Sequence, residues 1–324
     1  MHNVLPYKTK QFFFVLIKLS IVVGAFYFIY NKLVNNSALS FSDFIGFSLK
    51  NNVFSPKNIV FLLFLSIFNW FFEILKWQNL VNFIKKITFK DAAEQSLGSL
   101  TASLFTPNRI GEYGAKAIYY FSNLRKRIML INLLSNILQM GVTTILGVIG
   151  FYFFILKYNP DLNYYKLAKI LVFVVIAIAF FAFGITHKRF NIKGLSFRKT
   201  KRFVIQYPKN KLIIGFLISV IRYAIFSCQF YFLLHIFQVD MSYFSAMIII
   251  ASMYLLASIA PTIFIFDVVI KGSVAVYLFS FEGINELIIL SIITIMWLLN
   301  FVIPSLIGSY YVLNFNLPKT QEQL

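Results

Sequence analysis

Apolar runs about twenty residues long recur along this 324-residue chain, separated by short stretches rich in lysine and arginine. A helix rises about 1.5 Å per residue, so roughly twenty such residues cross a hydrocarbon slab of about 30 Å. Six runs reach that length, at about 11–31, 58–80, 128–156, 166–185, 212–235 and 286–313. Two more apolar stretches, about 88–121 and 242–281, are broken near their centres by Pro107 and Pro261. The pattern predicts an all-α integral membrane protein, one polytopic domain over 1–324, with about six transmembrane helices and two re-entrant helical hairpins. The first run follows Lys8 and Lys10 like a signal peptide, but it is long for one. Its exit, "NKLVNNSALS", is also a poor cleavage site, so an uncleaved first span is expected.

Basic residues then orient the spans. With the N-terminus inside and both hairpins returning to the side they left, Arg109, Lys116, Arg222 and Lys271 fall within the membrane. The remaining Lys and Arg divide 20 to the cytoplasmic side and 6 to the outer side. The loop 187–211 alone holds nine and no acid. This asymmetry predicts a cytoplasmic (inner) membrane location with both termini cytoplasmic.

A shift of about 154 residues lays the first three spans on the last three and Pro107 on Pro261. Each half reads span, span, hairpin, span, and three crossings per half is odd. The second half, 157–324, is therefore expected upside down relative to the first, 1–156. Many secondary transporters use this plan, with binding near the midplane where broken helices meet.

The two broken stretches resemble each other. "ASLFTPNRIGEYGAKA" and "ASIAPTIFIFDVVIKGS" each run from small residues to a proline, then to an acid and a lysine four residues on. The pairs are Glu112–Lys116 and Asp267–Lys271. Proline lacks an N–H and disfavours helix in the residue before it, which makes Thr106 and Ala260 turn positions, and the hairpin turns are expected at Pro107, Gly111, Pro261 and Gly272. A half-helix beginning there presents free N–H groups, suited to an anion. Small residues on the first approach (Ala92, Ser96, Ser99, Ala102, Ser103) permit close helix contact.

Charged side chains also occur inside spans. Arg222 lies eleven residues into the run from 212, too deep to snorkel to either surface, so it requires an acid. Glu73, Glu112 and Asp267 are the candidates. Asn69, Glu73 and Lys76 form one polar stripe; Asn132, Asn136, Gln139 and Thr143 form a second, which interhelical hydrogen bonding alone could explain. Trp70 and Trp77 read as packing or belt residues.

Composition narrows the function classes. The chain is 59% hydrophobic and 13% charged, with a formal net charge of +19. In a membrane protein such charge marks loops facing anionic lipid, so nucleic acid is not an expected partner. A lone cysteine, Cys228, excludes an intrachain disulfide, and three scattered histidines give no metal-ligand spacing, so neither metal nor cofactor is expected. No catalytic constellation stands out, and the loop after the first span carries one acid, Asp43, where a lipid-linked glycosyltransferase would want a pair.

These residues resemble a known family. "FTPNRIGEYGAK" is similar to the TP-x-R-x-G-E-x-x-R/K signature in the transmembrane, flippase-like region of lysylphosphatidylglycerol synthetases, and "APTIFIFDVVIKGSVAVYLF" to that family's second motif. "NWFFEILKW" and "ISVIRYAIFSCQFYF" resemble its second and fifth spans, so the likeness covers essentially the whole chain. It implies a domain that binds or moves a phospholipid or other lipid-linked anion. Pro107, Arg109, Gly111, Glu112 and Lys116 answer to the first motif; Pro261, Asp267, Lys271 and Gly272 answer to the second. The second motif has Ile and Phe where the family commonly has a glycine-rich turn. The chain ends at Leu324 without a soluble synthetase domain, so a stand-alone form without aminoacyl transfer is expected. The head-group site is expected at Arg109, Glu112, Lys116, Arg222, Asp267 and Lys271. A membrane glycosyl- or lipid-transferase component and a non-transporting scaffold are the alternatives.

Overall fold

A computed structural model describes residues 15–24, 27, 30, 41–104, 106, 109–160, 203–259 and 267–317, with residues 41 and 267–270 by backbone alone. All regular structure among them is helical. In chain order the helices are α1 (Val15–Gly24), α2 (Phe41–Lys50), α3 (Pro56–Val81), α4 (Phe89–Ser103) and α5 (Gly111–Ala117). There follow α6 (Ser122–Tyr158), α7 (Lys209–Ile236), α8 (Tyr243–Ile259) and α9 (Asp267–Phe279). The last span is α10 (Glu286–Trp297) and α11 (Ile303–Asn314), joined by a π turn, Leu298–Val302.

Four helical segments are long and apolar enough to cross a membrane: α3, α6, α7 and the continuous Glu286–Asn314. They coincide with four of the six expected runs. Of the run at 11–31 only α1 and two further residues are described; the run at 166–185 and most of the basic loop lie outside the described residues. The ends follow local rules. Pro56 opens α3 where its missing N–H costs nothing. Thr88 and Asp91 form a reciprocal capping box on α4. Asn159 closes α6 in the left-handed conformation at φ 40°.

The 41–50 segment, which falls in the expected outer loop, is instead the helix α2. Its Phe44 and Ser48 are buried, and Phe47 stacks on Phe237 with ring centroids 5.5 Å apart. Phe44, Phe47 and Ser48 follow helical spacing, so α2 lies with one face against the end of α7.

The last span is the central one. Of its most apolar window 72% is buried, against 22% to 28% for the other three. Those three turn large apolar side chains outward, Val60, Ile67, Ile149 and Leu217 among them, as helices facing lipid do. Helices come closest where side chains are smallest. A Cβ on Gly308 of α11 would lie 2.2 Å from the Leu97 carbonyl oxygen of α4, and Thr101 Oγ1 donates to the Ser305 carbonyl at 2.8 Å across that seam. On α6, Cβ atoms at Gly147 and Gly150 would meet Leu255 and Ala251 of α8 at 2.6 Å. Such contacts let backbones dock through dispersion where lipid supplies no hydrophobic drive.

At one end of the bundle Lys157 Nζ clasps Glu282 Oε1 (2.8 Å) and Ser245 Oγ (2.6 Å), while the Tyr158 hydroxyl donates to the same Glu282 oxygen. This ties the end of α6 to the start of α8 and to the turn after α9.

Candidate functional site

Arg222 sits thirteen residues from the start of α7 and fourteen from its end, roughly 20 Å from either. Its partner is Glu73: Nη1 donates to Glu73 Oε2 and, at 2.9 Å, to Gln139 Oε1. Nε donates to the Asn69 side-chain oxygen at 3.1 Å and to its carbonyl at 3.2 Å. Glu73 Oε2 also takes Lys76 Nζ at 2.8 Å, one turn along α3. One carboxylate is thus shared by two cations.

The first broken stretch repeats the arrangement. Glu112 holds Lys116 Nζ at 2.7 Å through Oε1 and Arg109 Nη2 at 2.8 Å through Oε2. The i, i+4 spacing on α5 places Glu112 and Lys116 on one face, as the sequence predicts. Both are buried. Arg109 reaches Glu112 from a left-handed backbone, φ 56°, which costs a non-glycine residue about 1–3 kcal/mol. Thr106, the expected turn residue, takes the Gly111 N–H on its hydroxyl at 2.9 Å. Lys116 Nζ further donates to Asn132 Oδ1 at 2.9 Å and lies 4.1 Å from the ring centre of fully buried Trp77. Trp77 therefore belongs to the interior and not to an interfacial belt.

The two carboxylates border one cavity of about 330 Å³. Its polar lining is Asn69, Glu73, Lys76, Arg109, Glu112, Asn136, Gln139, Arg222, Lys271 and Asn300; Trp70, Phe226, Tyr254, Ile293, Met296, Trp297 and Phe301 form its apolar and aromatic wall. Phe301 lies between Arg109 and Lys271, 5.9 Å and 5.8 Å from its ring centre, within cation–π range. Among the described residues, Arg222 Nη2 and Arg109 Nη1 have no protein acceptor, and Arg109 Nε is buried without one. The two Nη groups are left for whatever enters.

The cavity therefore gathers nine of the polar residues singled out in the sequence, with Trp70 beside them. Lys116 and Asn132 stand directly behind its wall. Asn136 donates to the Tyr113 hydroxyl at 3.0 Å, and Gln139 serves Arg222, so the second stripe has both structural and site partners. Gly272 packs near Leu290. Pro107, Pro261, Ala260 and the Asp267 side chain lie outside the described residues.

Asn300 was not among the expected residues. Its side chain accepts from Asn69 Nδ2 at 2.9 Å and donates to Gln229 Oε1 at 2.9 Å, and Gln229 donates to the Leu62 carbonyl at 3.0 Å. This ladder runs from the Arg222 cluster into α3 and α7. The cause is local. Pro304 has no N–H to give the carbonyls four and five residues back, and the helix widens into the π turn. Those carbonyls, Asn300 and Leu299, are taken by Trp70 Nε1 at 3.0 Å and Ser66 Oγ at 2.6 Å from α3. An asparagine in an apolar span with a proline four residues on was the available signal.

No group of histidine, cysteine and acidic side chains among the described residues could hold a metal ion. The chemistry on offer is electrostatic: fixed cations and amides around a cavity with an apolar wall, inside a multi-pass membrane protein. No curated protein sequence matches the chain. The family model described as "Lysylphosphatidylglycerol synthase TM region" matches residues 15–308, and the chain belongs to that family.

Proposed function

We propose that this protein binds a phospholipid or other lipid-linked anion in the central cavity and carries it between leaflets. The observation that carries the reading is that Glu73 and Glu112 are each shared by two cations. Cations held in excess within a low-dielectric interior favour a bound anion. The aromatic wall suits the apolar part of an amphipathic lipid, and membership of the family agrees with a lipid-handling membrane domain.

The packing supports the inverted-repeat reading. Exchange of the halves maps α3 onto α7, α4 onto α8, α5 onto α9 and α6 onto the last span. Observed partners follow the exchange: α3 packs on α7, α4 on α11 as α8 on α6, and α4 on α5 as α8 on α9. In this reading α4–α5 and α8–α9 are re-entrant hairpins from opposite faces of the cytoplasmic membrane, with both termini cytoplasmic. The protein acts as a transporter and not as an enzyme.

Leaflet exchange of fluorescent phosphatidylglycerol in reconstituted vesicles tests the function. Arg222→Ala and Glu112→Ala are expected to slow exchange at least about tenfold, the order of a lost charge-assisted contact. Unchanged exchange in both variants, purified as folded monodisperse protein, overturns the proposal.

A further inference from the structure

The charges around the cavity specify more than an anion. Glu73 balances one of Lys76 and Arg222; Glu112 balances one of Arg109 and Lys116. Each cluster keeps a formal charge of +1, and the two border the same cavity. Lys271 also lines it, and Asp267 precedes it by four residues, so the segment 267–271 sums to zero formal charge in sequence. Glu73 and Glu112 are the only acids among the described lining residues. The two glutamate clusters therefore hold two positive units in two places, one on α3 and α7 and one on the 109–116 segment.

Each cluster also keeps one guanidinium nitrogen without a protein acceptor, Nη2 on Arg222 and Nη1 on Arg109, each able to give a charge-assisted N–H bond to a phosphate oxygen. A phosphodiester carries one charge. A phosphomonoester carries about −1.5 to −2 at pH 7, since its second pKa is about 6, and cations bordering the cavity drive the second ionisation further.

Resting on the lipid-binding reading above, we infer that this site selects a head group with two negative charges, a terminal phosphomonoester or diphosphate, over the singly charged phosphodiesters of bulk lipid. Two separated positive centres are neutralised together by a dianion that spans them. A monoanion leaves one uncompensated in a medium that penalises it. Each carboxylate bridges the two cations of its cluster and cancels one of their charges, which sets the count at two.

The test is competitive binding in detergent, read by native mass spectrometry at pH 7.5, with phosphatidic acid and phosphatidylglycerol of identical acyl chains. Wild-type protein is expected to retain phosphatidic acid at least about tenfold more tightly. Arg109→Gln, at the more exposed of the two guanidinium groups (31% against 14%), is expected to bring the ratio towards one. Phosphatidylglycerol bound as tightly as phosphatidic acid by the wild type overturns the inference; leaflet exchange in the same preparation would still uphold the transport reading. A ratio unchanged in folded Arg109→Gln protein overturns the two-centre account. A third arm adds glycerol 3-phosphate, which carries the same phosphate without acyl chains. Its displacing phosphatidic acid at equal concentration would assign the site to soluble phosphates and overturn the lipid assignment.

Discussion

Sharing one carboxylate between two cations makes the substitutions around Glu73 unequal. In Glu73→Gln, Lys76 (1% exposed) and Arg222 (14% exposed) lose their common counter-charge at once. Leaving a buried charge without its partner costs about 3–5 kcal/mol. Arg222 keeps Asn69 and Gln139, which places the expected loss near the lower bound. In Lys76→Met the remaining Glu73–Arg222 pair is neutral, and a side chain of similar reach fills a buried position. Glu73 keeps Arg222 as its counter-charge, so no buried charge is orphaned and the change is expected within about 1 kcal/mol of zero. Thermal unfolding in detergent, followed by tryptophan fluorescence, should therefore show Glu73→Gln well below wild type and Lys76→Met close to it, a gap of at least about 2 kcal/mol. Anion binding should fall in Lys76→Met despite its stability, since the surplus charge is gone. Equal destabilisation by the two substitutions, or a larger one in Lys76→Met, refutes the shared-carboxylate account.

Two further predictions concern the frame. Gly308→Ala forces a methyl against the Leu97 backbone and strains the Thr101–Ser305 bond, for an expected loss of about 2–4 kcal/mol; Gly141→Ala, with open space around the added methyl, should be neutral or gain up to about 1 kcal/mol. Matching unfolding midpoints for the two would contradict the close α4–α11 contact. Burial pushes the Glu282 carboxyl up, but hydrogen bonds from Lys157 and Tyr158 outweigh it and hold its pKa below the usual value. A folded-state pKa below the unfolded one gives stability that is complete above about pH 4.3 and lost as pH falls through the lower folded value. The acid loss of unfolding midpoint should be smaller in Glu282→Gln, and an unchanged acid profile would count against the clasp.

Spans and pairs set by local spacing were legible in the sequence. Four apolar runs became four long helices, and Glu112–Lys116 followed from a four-residue interval. Arg222's need for an acid was legible too, because depth in an apolar run is counted along the chain. Its choice of Glu73 was not, since that depends on how α3 and α7 are rotated about their axes, which packing decides. Asn300 stayed hidden for the same reason: the two amides that hold it lie 71 and 231 residues away in sequence. The helix at 41–50 has only ten residues, half the length of a span, and a search for long apolar runs passes over its amphipathic pattern. Its burying surface comes from Phe237, almost two hundred residues on.

The π turn in the central span has a mechanical consequence. Along most of a helix, bending breaks the helix's own hydrogen-bond ladder. At Leu298–Val302 the carbonyls beside Pro304 are held from outside, by Ser66 and Trp70 of α3. The stiffness of the longest-buried rod in the molecule is thus set, at its midpoint beside the cavity, by two side chains of a neighbour. A displacement of α3 that released them would soften the joint between α10 and α11, and the wall residues Trp297, Asn300 and Phe301 ride on that joint. Motion of α3 would thus reach the shape of the cavity through these two bonds and through the Asn69–Asn300 bond beside them.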